Sequence, residues 1–369
     1  MMSKNLQVFN QTYLAARDNF LQATTGKAAR IYSIEHPLSG PSGEPLHVDV
    51  AVFGSPQAAN TVFLTSGVHG PELIAGSACQ IDLVNGGKLA ALPADVKVVL
   101  IHAINPWGSA HGRRYTEDNV DLCRNFTVFP TQTEVSERLI DLQEAIDSAS
   151  LEPADVAGSD AIIERFIEEN GLGAFINVAL SGQYHFPSGI GFGGKEPAWS
   201  RSTIEQIITE EGRSARHVYM VDYHTGYGPY AHGCVVAMQT GSKLERAHEV
   251  FGDWILAPRA RPTATTYETT GHTTDGYEAM LPDAEVIAGV LEIGTLPQPQ
   301  LVAAMINEHR HTRHLASTPD DPRLKAARDA FKAFFAPDDP HWQNYVLHRG
   351  EQIFDQVLAD ISRRLPDRC

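Results

Sequence analysis

The run Thr61–Ser66, TVFLTS, carries no charge, is mostly apolar or β-favouring, and is broken by Gly67. Such a run reads as a strand buried on both faces, which requires a sheet covered by helices on both sides. Asp95–Ile104 (DVKVVLIHAI), His217–Tyr223 (HVYMVDY) and Glu285–Ile293 (EVIAGVLEI) repeat the pattern, and Gly233–Thr240 reads as a further strand. Leu46–Gly54 alternates Val48, Val50 and Val52 and reads as an antiparallel or mixed edge. Helices are predicted over 5–29, 71–85, 201–211 and 243–257, mainly over 134–180 with a polar interruption at Glu152–Ser159, and near 299–316, 322–335 and 340–364. Strands alternating with helices predict an α/β fold: a mixed, largely parallel twisted sheet with helices on both faces. Neither a repeat nor a linker divides the chain, so a single domain over residues 1–369 is expected.

The remaining segments are polar. They are His36–Pro45, residues 105–130, the glycine-rich and aromatic Gly182–Pro197, and the threonine-rich 258–283. A loop as long as 105–130 inside a packed domain is usually functional. The formal charge of −16 argues against nucleic acid and anionic membrane surfaces as partners. No apolar run reaches the length of a membrane span, and the first twenty residues lack the apolar core of a signal peptide. The four cysteines are scattered without a CxxC pair, which fits a reducing cytoplasm rather than a disulfide scaffold.

Three of the predicted strands end on side chains that bind metals or move protons, each with glycine close by. Thr61–Ser66 leads to His69 and Glu72, His217–Tyr223 to His224, and Glu285–Ile293 carries Glu292. The carboxyl ends of strands are where open α/β sheets collect ligands. His69 and Glu72 taken alone also suit an ordinary surface turn; coincidence at three strand ends is harder to explain by packing. Two imidazoles and one carboxylate hold zinc with its fourth position open, the catalytic arrangement. Glu292 is then the candidate proton acceptor. Asp222 precedes His224 by two residues, so on a strand both side chains share a face. It either steers a group around the metal or pairs with an arginine.

The ordered set HGPE (69–72), INPWG (104–108), RRYTEDNVDLCRNF (113–126), DYHTG (222–226) and LEIGT (291–295) resembles the zinc carboxypeptidase (metallocarboxypeptidase) family, in particular its shorter bacterial-type branch. The resemblance implies one zinc ion held by His69, Glu72 and His224, with Glu292 as the base. It sets Arg114 where the family stabilises the oxyanion and Arg124 where it holds the substrate's terminal carboxylate. Arg113 is expected to contact substrate or an acidic neighbour. Tyr267 and Tyr277 precede Glu292, as does the family's substrate-capping tyrosine. Gln183 and Tyr184 are candidates to line the pocket. One position departs: Cys123 stands where the family usually has an asparagine that helps grip the carboxylate, and a thiol is a weak donor and acceptor. The resulting expectation is a cytoplasmic zinc hydrolase that cuts a C–N amide bond in a small molecule or short peptide. The alternatives are an N-acyl-amino-acid deacylase of the desuccinylase and aspartoacylase kind, and a non-catalytic metal-binding relative. Oligomeric state is left open.

Overall fold

The apolar runs become the middle of one eight-stranded sheet. In the computed structural model, which describes residues 4–130, 135, 137–262 and 269–364, the strands are β1 (Arg30–Ser39), β2 (Pro45–Gly54), β3 (Asn60–Ser66), β4 (Val96–His102), β5 (His217–Thr225), β6 (Gly233–Val236), β7 (Ile255–Leu256) and β8 (Glu285–Ile293). Their order is β1-β2-β4-β3-β5-β8-β6-β7. β4, β3, β5 and β8 run parallel. β1 and β2 extend one side antiparallel, and β6 pairs antiparallel with β8 on the other.

The helices are α1 (Tyr13–Thr24), α2 (Leu73–Asn85), α3 (Pro106–His111), α4 (Glu137–Asp147), α5 (Pro153–Asn170), α6 (Leu172–Leu180), α7 (Trp199–Gly212), α8 (Gly241–Phe251), α9 (Thr273–Met280), α10 (Gln298–His314), α11 (Pro322–Phe335) and α12 (Pro340–Arg364). They cover both faces because successive strand residues point to opposite sides. Val62 and Leu64 of β3 join Phe20, Ile81, Phe251, Trp342 and Phe354 under α1, α2, α8 and α12. Phe63, between them, joins Met220, Ile207 and Tyr277 under α7 and α9. A third apolar cluster, with Ile146, Phe175, Met305 and Phe331, is built by α4, α5, α6, α10 and α11.

Several elements differ from expectation for local reasons. The first predicted helix shortens to α1, begun by the Thr12 side chain accepting from Ala15 N. The chain then enters β1, an edge strand whose mostly exposed side chains give no buried-strand signature. The polar stretch at 152–159 is a helix start, with Pro153 in the first turn where its missing N–H costs nothing. α3 forms inside the long loop because Pro106 follows Asn105, whose side chain accepts from Gly108 N at 2.8 Å. α9 lies within the threonine-rich segment. No helix among the described residues is long and apolar enough to cross a membrane.

Candidate metal centre and cavity

β3 ends at Ser66, and the chain turns through Gly67 into HGPE, where Gly70–Glu72 form one turn of 3-10 helix leading directly into α2. α2 is pinned over the strand ends by Gln80, whose amide donates to Leu64 O at 2.9 Å and Ile101 O at 3.0 Å while accepting from Ser66 Oγ. Gly70 is required by close approach: a side chain there would run into the carbonyl of Arg113 and the backbone of Gly108. The turn bearing His69 and Glu72 is thereby locked against the loop bearing Arg114. One strand over, the parallel register aligns β5 with β8 so that His224 sits directly opposite Glu292. Opposite residues on neighbouring strands share a face, so the sheet itself delivers these two side chains together.

His69, Glu72 and His224 form a buried cluster. His69 Nδ1 lies 2.9 Å from Glu72 Oε1 and His224 Nδ1 lies 3.1 Å from Glu72 Oε2. The rings meet edge to face at 4.9 Å between centroids. Each Nε2 is held from behind by another carboxylate: His69 by Asp121 Oδ1 at 3.2 Å and His224 by Asp222 Oδ2 at 2.9 Å. Thr65 Oγ1 donates to the other oxygen of Asp222, and Cys123 N donates to Asp121. Thr225 N donates to Glu72 Oε2 at 3.0 Å. A carboxylate on the far nitrogen is what orients a metal-binding histidine and raises its basicity. Both rings therefore turn their Nδ1 atoms toward one carboxylate, a donor set of two imidazoles and one carboxylate that fits a tetrahedral cation with one vertex open. The thiol of Cys123 also reaches this group: its sulfur and one nitrogen of each ring all lie within 4.8 Å of one another.

Electrostatics follow from this packing. Burial and the Arg114 charge oppose protonation of His69, but Glu72, Cys123 and Asp121 outweigh them and lift it to about 10. Burial likewise opposes the charge on His224, and Asp222 and Glu72 override it, raising His224 well above the usual histidine value. Burial pushes Glu72 up, but the two histidines win and hold it well below the usual carboxylate range. Asp121 is held down in the same way by Arg114, Arg124 and His69. Glu292 goes the other way. Burial, with Glu72 adding to it, raises its pKa to about 7 against the pull of His224, and its Oε2 has no partner among the described residues.

The cluster opens into a cavity lined by His69, His224, Glu292, Arg114, Arg124 and Cys123, with Val236, Met238, Pro258 and Val290 as an apolar wall and Thr269, Tyr227 and His272 completing it. Arg114 lies 3.4 Å from Glu72 Oε1 and 3.2 Å from Asp121 Oδ2. The Arg124 guanidinium donates through Nε and Nη2 to Leu180 O and through Nη1 to Cys123 O. Arg113 is absent from this lining: it pairs with buried Glu308 of α10 at 3.2 Å. Tyr277 is also absent, packed against Phe126 in the core between α9 and the sheet. Tyr267 lies outside the described residues. Tyr184 braces the cavity by donating to Arg124 O at 2.6 Å, and Gln183 ties the glycine-rich loop to itself. Two participants escape sequence reasoning. Asp121 sits inside DNVDLCRNF with nothing marking its reach to His69, and His272 sits in a segment read as loop.

No curated protein sequence is significantly similar to the chain. Among solved structures, the carboxypeptidase A of Helicoverpa armigera is 11% identical with a TM-score of 0.50, over 96% of this chain and 74% of that one. This likeness shows the carboxypeptidase-like α/β fold. The murein-tripeptide amidase of Escherichia coli O157 is 15% identical, over 86% of this chain and 97% of that one, with a TM-score of 0.37. An aspartoacylase family protein of Mesorhizobium loti is 12% identical, over 79% and 68%, with a TM-score of 0.36. A family model matches residues 9–349, nearly the whole chain, and the protein belongs to that family, described as "Protein of unknown function (DUF2817)".

Proposed function

We propose that the protein is a zinc-dependent hydrolase of a C–N amide bond, acting on a small peptide or an N-acylated amino acid. The observation that carries this reading is the orientation of the two rings: both Nδ1 atoms face Glu72 while both Nε2 atoms rest on carboxylates. His69, Glu72 and His224 would hold the ion, which supplies a Lewis acid beside the substrate carbonyl and lowers the pKa of water. Glu292, half-buried on the same face with its pKa raised to about 7, takes the proton from the attacking water and returns it to the departing nitrogen. Arg114, fixed between Glu72 and Asp121, supplies donors to the carbonyl oxygen as it gains charge. Asp121 and Asp222 keep the two rings in place.

A panel of N-blocked dipeptides and N-acyl amino acids, assayed with the zinc-loaded protein, tests the proposal. Hydrolysis of either class that is lost in Glu292→Gln, with zinc retained, supports it. Metal binding without turnover of any amide favours a non-catalytic relative. The thiol at Cys123 keeps the deacylase reading open, because the cavity wall there lacks the amide that would complete a carboxypeptidase-type grip on a peptide terminus.

A further inference from the structure

His272 stands in front of α9, where its Nδ1 lies 2.9 Å from Thr274 Oγ1 and accepts from Thr274 N at 3.3 Å. A ring nitrogen that accepts a backbone N–H carries no proton, so the neutral ring bears its proton on Nε2. Burial, reinforced by the charges of Arg124, His224 and Arg259, holds its pKa well below the usual histidine value. His272 is 6% exposed and lines the same cavity as Glu292, Arg124 and the two clustered histidines. With Nδ1 turned to α9, the edge left to the cavity is the one carrying Nε2–H.

The ring's placement is fixed by the chain before it. Gly271 has φ +70, and a side chain there would run into the carbonyl of Arg124. Phe126 N donates to Gly271 O at 3.0 Å. The turn that presents His272 is thus keyed to the segment that presents Cys123 and Arg124. Val236, Met238, Pro258 and Val290 add apolar side chains to the same cavity. An anion entering the cavity meets the Arg124 guanidinium and a neutral N–H donor from His272 among apolar side chains, and hydrogen bonds to an ionised acceptor are the strong ones.

Resting on the hydrolase reading above, we propose that His272 donates through Nε2 to a carboxylate of the substrate's leaving amino acid, beside Arg124. That carboxylate is either the α-carboxylate or an acidic side chain.

Calorimetry on the zinc-loaded protein with N-acetyl-L-alanine, N-acetyl-L-alaninamide and N-acetyl-L-glutamate α-amide separates the sources. Tighter binding of N-acetylalanine than of its amide identifies the α-carboxylate, and preference for the glutamate α-amide over the alaninamide identifies the side chain. In either case His272→Asn should weaken the preferred carboxylate by about tenfold or more and raise KM more than it lowers kcat. Asparagine is a good helix N-cap, so a ring that merely caps α9 predicts unchanged binding, which overturns the proposal. As a second readout on the wild-type chain, the Nε2 resonance of 15N-labelled His272 should shift when the preferred carboxylate is added while Nδ1 stays put. An unmoved Nε2 overturns it as well. Amide hydrolysis that persists with undiminished carboxylate affinity in His272→Asn sinks the grip and leaves the hydrolase standing. Carboxylate binding that needs His272 in a protein that hydrolyses nothing sinks only the hydrolase.

Discussion

Glu292 and Glu72 are neighbouring carboxylates of the same type, one half-buried and one buried, and their surroundings drive them in opposite directions. Glu72 touches both histidines and stays ionised; Glu292 has an unpartnered oxygen and is raised to about 7. Replacing Glu292 by Gln keeps the shape and removes the proton carrier, so hydrolysis should fall by about a hundred- to ten-thousand-fold with zinc content unchanged by elemental analysis. The same residue makes a stability prediction for the metal-free protein. A folded pKa above the unfolded value means that the folded state binds the extra proton between about pH 4.5 and 7, so this group costs stability as pH rises through that window. Chelated Glu292→Gln should therefore melt above the wild type at pH 8, with the gap closing by pH 5; a constant gap would mean that Glu292 is not raised. Asp222 offers a separate test. It touches no substrate-facing atom and acts through His224 Nε2, so Asp222→Asn should weaken zinc about 10- to 100-fold in a chelator competition without unfolding the protein.

At the scale of elements, β8 is read from the sequence with the bounds the structure gives it, Glu285–Ile293, and α11 and α12 likewise. Their signals are local: an uninterrupted apolar run for the strand, and helical periodicity behind Pro322 and Pro340 for the helices. β1 is hidden because an edge strand with exposed side chains looks like polar loop until β2 pairs with it. α9 is hidden because its threonines favour extended backbone, and it forms through the His272 cap and the burial of Tyr277 against Phe126. The same contrast runs through the site. His69, Glu72, His224 and Glu292 stand at strand ends and are legible there. Asp121 and His272 act through contacts between segments distant in sequence, and the acidic neighbour of Arg113 is Glu308 of α10, a pairing no local pattern identifies. The Arg113–Glu308 pair shows how such contacts hold elements. It ties the arginine-bearing loop to α10 with both side chains buried, and Arg328 of α11 approaches the same carboxylate at 4.0 Å. Glu308→Ala leaves a buried guanidinium without its anion and should cost roughly 3 kcal/mol or more of stability, read as a lowered Tm. A change within error would show the pair to be incidental to the packing of α10 on the loop.

Across the whole molecule, the cluster joins β3, β5 and the 113–126 loop, so its ionisation couples to folding as a unit. Without an ion, Glu72 is balanced by two protonated rings and by Arg114, and the sheet's apolar layers on either face do not depend on the site. The metal-free chain should therefore remain folded, with unchanged far-UV circular dichroism after chelation. Its histidines are raised, so their stabilising contribution is complete below about pH 6.5 and fades for His69 as pH climbs through about 10. Glu72 and Asp121 are depressed, so their contribution is present above about pH 4.5 and is lost on acidification below it. Metal-free protein should thus be most resistant between these limits. The ion needs both ring nitrogens deprotonated, and both rings are charged at pH 7 in its absence. Zinc titrated at pH 7 in buffers of differing ionisation enthalpy should accordingly release about two protons per ion, and affinity should climb steeply with pH. Release of none, with tight binding, would mean that the rings are already neutral and that the Glu72 bridge between them does not exist in solution. Release of two that survives replacement of Glu72 by Gln would move the source of the protons away from the cluster.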